Sequence, residues 1–302
     1  MTINRASLKK QLQEGLNTVF GLRYKQHEKQ WPAIFDAFKS NKAYEEDVLM
    51  TGFGAAPTKE EGAGVDYDSA REAWTSRYVN ETIALAFSIT EEAVEDNLYG
   101  DIGNKLARAL ARSIAHTEEV KAAAVLNNGF SSSYPGGDGK ELFATDHPLS
   151  GGGTFQNELT TAADLSEASL EEALNTIGDF TDDRGLNVKV TAKKLIVPVE
   201  LQFTAARLLK SSYRPGTADN DINVIKEMSY ISGGHAVNNY LTDPDAWFII
   251  TDAEDGLKRF NRSPLQRGME ADFESANMRY KARIRFVYGW TDPRGAFGSA
   301  GA

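Results

Sequence analysis

An α+β fold is predicted by three stretches of this 302-residue chain. Val94, Leu98, Ile102, Leu106, Leu110 and Ile114 recur every four residues, which predicts one long helix over 90–127. From Arg279 to Trp290, the residues Tyr280, Ala282, Ile284, Phe286, Tyr288 and Trp290 alternate with Arg279, Lys281, Arg283 and Arg285. That is the period of two of a half-buried strand. Between Trp74 and Ile89 the chain reads as one extended stretch, with Ile83, Leu85, Phe87 and Ile89 alternating against Thr82, Ala84, Ala86 and Ser88.

Composition narrows the function. The chain has no cysteine, which excludes disulfide scaffolds, Cys-ligated zinc, iron–sulfur clusters and thiol catalysis. Lys and Arg total 33 against 43 Asp and Glu, a net charge of −10, and the pI is about 5.1. Dedicated nucleic-acid readers show the opposite excess. No apolar run approaches the roughly 18 residues of a membrane span, and MTINRASLKK lacks the apolar core of a secretory signal. A soluble, acidic, cytosolically made protein is expected.

Each element can be justified in turn. Leu8, Leu12, Leu16, Val19 and Phe20 sit at helical spacing, and Trp31, Phe35 and Phe38 follow as a second short stripe. An amphipathic arm of this kind must pack on the rest of the chain or on a partner. Residues 51–72, rich in Gly, Asp and Glu, read as an exposed loop. At about 3.3 Å per residue the 74–89 stretch would reach about 53 Å. It is either a shorter strand with an irregular lead-in or one side of a long two-stranded flap that needs neighbours.

The 90–127 helix would be about 57 Å long if unbroken. Its capping candidates are Ser88 with Glu91, or Thr90, and Gly100 and Gly103 predict a bend or break. A strict spacing of four drifts about 40° per step, so the stripe winds around the helix, as suits one lying obliquely across a sheet. A Gly-rich connector covers 128–163. A helix capped near Ser169, with Glu172 at the box position, follows. Leu195–Val199 reads as a strand whose Pro198 marks a strand end or edge. A short helix around Phe203–Leu209 and a buried strand at 246–251 complete the pattern.

Candidate chemistry is sparse. GGDGKEL (136–142) lacks the glycine spacing of a phosphate loop and has no Ser or Thr after Lys140. Asp219, Asp221 and Asn223 open like a calcium loop, but Val224 and Tyr230 stand where Gly and Glu are needed. None of His27, His116, His147 and His235 has a second histidine at metal-binding spacing. His147 before Pro148 is the one catalytic candidate, in a soluble hydrolase reading without a nucleophile elbow. The basic strand face of Arg279, Lys281, Arg283 and Arg285 could meet phosphate. In so acidic a protein ion pairs are the favoured expectation.

Several stretches together resemble the major capsid proteins of tailed bacteriophages, of the Mu-like head subunit type. They are KAYEED (42–47), GFGAAPTKEEG (52–62), SITEEAVEDNLYG (88–100), DGKELFATDHPL (138–149), PGTADNDINVI (215–225), YLTDPDAWFI (240–249) and YKARIRFVYGWTDPRGAFGSAGA (280–302). The resemblance implies the shell fold shared with herpesvirus capsid floors and encapsulins. Its parts would be an N-terminal arm (1–50), an extended two-stranded loop (51–88), a peripheral domain with a spine helix (89–165 and 271–302) and an axial domain (166–270).

By the same resemblance the chain would be no enzyme and carry no cofactor. Copies would assemble in the host cytoplasm into hexamers and pentamers of an icosahedral head around double-stranded DNA. A scaffolding protein, a portal and a decoration protein would be partners, DNA contact would be weak and non-specific, and no membrane would be involved. Arg71, Trp74, Arg77 and Tyr78 are the candidate contacts of the loop with a neighbour, and Gly100 with Gly103 the candidate hinge. The chain starts close to the arm, so a separate scaffold or an already mature start is expected. An encapsulin-like cargo shell is the alternative. Multiplied over a shell, the charge of −10 predicts a container that largely repels its contents.

Overall fold

In the computed structural model, which describes residues 5–62, 64–90, 92, 99–213, 222–272 and 277–302 (backbone alone for 5–12 and 99–101), two four-stranded sheets share one long helix. The chain starts with α1 (Arg5–Gln26), a 3-10 turn at Trp31–Ala33 and strand β1 (Asp36–Lys39). Strands β2 (Tyr44–Met50) and β3 (Glu72–Val79) pair antiparallel as a ribbon, and β4 (Glu81–Ile89) precedes helix α2 (Tyr99–Asn127). A minimal hairpin of β5 (His147–Pro148) and β6 (Thr154–Phe155) leads to α3 (Glu167–Gly178). Then come β7 (Ala192–Val197), α4 (Gln202–Lys210), α5 (Val224–Glu227), β8 (His235–Val237) and β9 (Trp247–Thr251). Strands β10 (Leu257–Ala271), β11 (Met278–Trp290) and β12 (Ala296–Ser299) end the chain.

The first sheet has the order β1-β10-β11-β4, parallel between β1 and β10 and antiparallel elsewhere. The alternation in β11 turns Tyr280, Ala282, Ile284 and Phe286 to one face. There they pack with Leu16 and Phe20 of α1 and with Ala107, Leu110, Ala111 and Ile114 of α2. The amphipathic N-terminal helix therefore finds its cover within its own chain.

The second sheet has the order β12-β9-β7-β8. Trp247 and Ile249 of β9 join Leu170, Ala173 and Ile177 of α3 on one face. Phe248 and Ile250 join Ala122 and Leu126 of α2 on the other. Coverage of both faces is why this strand reads as a continuous apolar run. One helix thus serves both sheets, its first half on one and its second half on the other.

The winding of α2 is visible in what it buries. Leu110 and Ile114 are core residues, but Ile102 is 49 % exposed. Four residues advance the face by about 40° too much, and Ile102 has rotated out. The contact is made instead by the closer 3–4 spacing of Ala107, Leu110, Ala111, Ile114, Ala115, Ala122, Ala123 and Leu126. The alanines let the helix lie close to the strands. Val94, Leu98 and the Glu91 side of the proposed capping box lie outside the described residues.

Two expectations change, and a third is met in one of its two forms. The extended stretch from 74 to 89 is real but switches partners at Asn80: β3 pairs with β2, whereas β4 pairs with β11. The cap of α3 is Ser166, whose side chain accepts from Ser169 N, so the helix starts earlier than the Ser169 cap predicted. Pro198 follows β7 directly and marks its end; β7 itself is an inner strand, between β9 and β8.

Candidate assembly surfaces

The β2–β3 ribbon carries the loop-contact candidates. Its base is anchored to the first sheet by a polar node. Tyr78 is buried at 3 % exposure, and its hydroxyl lies 2.6 Å from Thr291 Oγ1. Thr291 Oγ1 donates to Asp47 Oδ2 at 2.7 Å. Lys258 Nζ donates to the same Asp47 oxygen and, at 2.5 Å, to Asp255 Oδ1. Burial opposes the charge on Lys258, but the hydrogen-bonded carboxylates of Asp255 and Asp47 outweigh it and raise its pKa above the ordinary lysine value. Gly289 allows this approach: a Cβ there would fall 2.7 Å from the Tyr78 ring. At the partner switch, Asn80 Nδ2 donates to Ser40 Oγ at 2.8 Å and to Lys42 O at 3.1 Å.

Beyond the base the ribbon is partly covered, with Ser76 and Thr51 buried and Gly137 against Thr75, and its remaining side chains are half-buried or exposed. Arg71 is exposed and its backbone closes the loop, with Thr51 N donating to Arg71 O at 2.8 Å. Trp74 is half-buried. Arg77 stands over the Tyr44 ring, 4.0 Å from its centroid, and 3.9 Å from Glu46. In the connecting loop Phe53, Val65 and Tyr67 are 62 %, 69 % and 98 % exposed. Asp68 steadies that loop by accepting from Gly54 N at 2.8 Å, and Arg184 Nη2 donates to Ser69 O at 2.7 Å. Those backbone donors, Gly54 and Ser69 first, hold the Asp68 carboxyl below its usual range. Of the four candidates, then, Arg71, Trp74 and Arg77 offer surface, and Tyr78 is spent on the chain's own sheet.

The hinge candidates sit at the described start of α2. The helix runs unbroken through Gly100 and Gly103. A Cβ on Gly103 would meet Ile89 Cδ1 and Leu16 Cδ2 at 3.4 Å each, which is ordinary contact. The close approach to β4 and α1 that a glycine permits is therefore not forced here.

The basic face of β11 points away from both helices, flanked on β4 by Thr82, Ala84, Ala86 and Ser88. Ion pairing accounts for one of its members: Arg279 meets Asp272 at 2.7 Å. Among the described residues Lys281, Arg283 and Arg285 have no carboxylate partner, and Lys281 and Arg283 are exposed.

His147 is a structural residue. It is fully buried, with Nδ1 2.6 Å from Asp138 Oδ2 and Nε2 3.1 Å from Asn157 Oδ1. Asn157 Nδ2 in turn donates to the carbonyls of Leu142, Pro293 and Ala296. Both ring nitrogens are committed, so no nitrogen is free to take a proton from a substrate. Asn223 caps α5 by accepting from Lys226 N, while Asp219 and Asp221 lie outside the described residues. Among the described residues no cluster of three or more His, Asp or Glu could hold a metal, and no helix is long and apolar enough to cross a membrane.

Two features escaped the sequence reading. Glu118, 1 % exposed, pairs with the equally buried Arg259 at 2.5 Å and accepts from Tyr24 OH at 2.5 Å. Glu119 accepts from Gln30 N and Trp31 N, holding the 3-10 turn on α2. Tandem glutamates in line with the alanine stripe were the available signal. The Asp47–Lys258 node had none, because its members are far apart in sequence.

Comparison with known proteins bears on these surfaces. The profile of a family described as phage capsid protein matches residues 72–298. No curated protein matches the sequence. Among solved structures, the virus-like particle from Pyrococcus furiosus superposes with a TM-score of 0.57 at 12 % identity, covering 95 % of this chain and 98 % of its own. The capsid of an empty GTA particle gives 0.56 at 14 % identity, covering 91 % and 92 %. Mycobacterium phage Che8 gives 0.52 at 14 % identity, covering 90 % of each chain. At these identities the structures show the fold alone, and it is that of capsid shells. The family match spans about three quarters of the sequence and includes the second sheet, all of the first sheet but β1, the long helix and half of the ribbon, so the chain belongs to the phage capsid protein family and is a structural capsid subunit, not an enzyme.

Proposed function

We propose that this chain is the major head subunit of a tailed phage, of the Mu-like type, and that copies of it form hexamers and pentamers of an icosahedral shell around double-stranded DNA. One observation carries the reading. Among the described residues the ribbon is bonded to the first sheet at its base and its loop is tied to the chain through Arg184, while Phe53, Val65 and Tyr67 of that loop stay exposed. Such apolar surface on an anchored two-stranded element calls for a neighbouring copy. The family match to a phage capsid protein favours a virion over a cellular cargo shell.

In this reading residues 1–50 form the arm, 51–88 the extended loop, 89–165 with 271–302 the peripheral domain and 166–270 the axial domain, with β1, β4 and β10 adding strands from the other three parts to the sheet of the peripheral domain. Strand β2 adds residues 44–50 to the loop from the arm side. Helix α2 is the spine. Arg71, Trp74 and Arg77 touch the adjacent subunit, and the spine bends about Gly100 and Gly103 when a precursor shell expands. Assembly occurs in the host cytoplasm with a scaffolding protein and a portal, and a decoration protein binds the finished surface. Expression alone and with neighbouring proteins, followed by size-exclusion chromatography and negative-stain microscopy, is expected to give closed shells. Small oligomers under every condition would overturn the proposal.

A further inference from the structure

Helices α1 and α2 enclose an open groove of about 530 Å³ on the side of the first sheet opposite the basic face of β11. Its rim is Arg23, Lys105, Arg108 and Arg112, and its apolar floor is Val19 and Leu22. All four cations are exposed, and none makes an ion pair among the described residues. Among the described residues Arg23 makes one side-chain hydrogen bond, donating to Gln26 Oε1 at 3.2 Å. In a chain with 43 acidic and 33 basic residues, unpaired cations do not gather by shortage of carboxylates. Elsewhere Lys121, Arg259, Arg279 and Arg294 each meet one.

Lys105, Arg108 and Arg112 stand at i, i+3 and i+7 on α2, one stripe about 10 Å long. That length matches about three base-pair steps of 3.4 Å along a duplex. The floor is too small to hold a peptide mainly by apolar burial, so a ligand must be held by charge. We propose that this groove binds the phosphodiester backbone of double-stranded DNA, without reading its sequence. The proposal rests on the capsid reading for the identity of the polyanion. It places the DNA contact on the helix side of the peripheral layer and not on the strand face.

The test uses the full chain, as capsomers or particles, and a mixed-sequence 24-base-pair duplex followed by fluorescence anisotropy. Four phosphate contacts predict a slope of about −3.6 in log K against log salt, or about a hundredfold weakening between 50 and 200 mM. The variant Arg23→Gln/Lys105→Gln/Arg108→Gln/Arg112→Gln is expected to lose at least about tenfold in affinity and most of that slope. Lys281→Gln/Arg283→Gln is expected to keep both. Unchanged binding in the groove variant, a loss confined to the strand-face variant, or tighter binding of a Glu-rich helical peptide than of the duplex would each overturn it. Microscopy of the same samples keeps the two questions apart: failure of the wild type to form shells counts against the capsid reading, while the duplex comparison still decides the groove.

Discussion

The ribbon and the second sheet are built from similar strands but have opposite relations to their own chain. Strand β9 is buried along its whole length, between α3 on one side and α2 on the other. The ribbon has one partner strand for each of its two, no third strand, and a long loop that is exposed almost throughout. Two strands alone bury too little to be stable in water, so the anchoring node at Tyr78, Thr291, Asp47 and Lys258 must hold what packing does not. One region is complete within the subunit. The other leaves Phe53, Val65 and Tyr67 exposed, the surface that a neighbouring copy covers in the proposed reading.

Breaking the complete region should have the largest effect. Trp247→Ala removes a fully buried ring from the second sheet and is expected to cost about 3–5 kcal/mol, read as a lower denaturation midpoint of the subunit. Glu118→Ala leaves Arg259 buried without its carboxylate and should cost about 3 kcal/mol in the same measurement.

Changes at the ribbon base should be smaller. Tyr78→Phe keeps the ring against Phe260 but loses the hydroxyl bond to Thr291, for about 1 kcal/mol. The Lys258 contribution also has a pH signature. Because its folded pKa is raised, that contribution is full below the unfolded lysine value of about 10.4 and fades as pH rises through the folded value. The difference in Tm between wild type and Lys258→Gln should therefore hold steady at neutral pH and shrink in strong alkali.

The least stability should ride on the ribbon surface, and there the comparison is sharpest. Arg71→Ala and Arg77→Ala are expected to move subunit stability by no more than about 0.5 kcal/mol while lowering the yield of closed particles. Equal losses of stability and particles would show that the ribbon belongs to its own subunit after all. Gly103→Ala tests the hinge: the added methyl fits, should stabilise α2 by up to about 1 kcal/mol, and with Gly100→Ala should hinder shell expansion.

How far the sequence could be read depends on where each signal lies. The alternation of β11 spans a dozen positions and assigned its faces correctly, because a period of two leaves each side chain one choice of side. The spacing of four in α2 named the right helix and part of its buried stripe: Leu110 and Ile114 are core, Ile102 turns outward, and the small Ala107 and Ala111 complete the contact. The loop at 51–72 is legible as exposed from its glycines and acids, whereas nothing local marks its Phe53, Val65 and Tyr67 as surface residues. Tyr78 resembled the other loop candidates in sequence. Its burial comes from Gly289 and Thr291, more than two hundred residues away.

The sequence by itself determined the periodic elements, the absence of cysteine chemistry, the excess of acidic residues and, through many short stretches in order, the resemblance to a capsid family. These are properties of local spacing and composition, which need no knowledge of what lies opposite. Tertiary structure alone decided that β3 and β4 part company at Asn80, that His147 is locked between Asp138 and Asn157, and that four cations from two helices, without an ion pair among the described residues, face one groove. Each depends on partners distant along the chain or on a second element, and only packing brings those together.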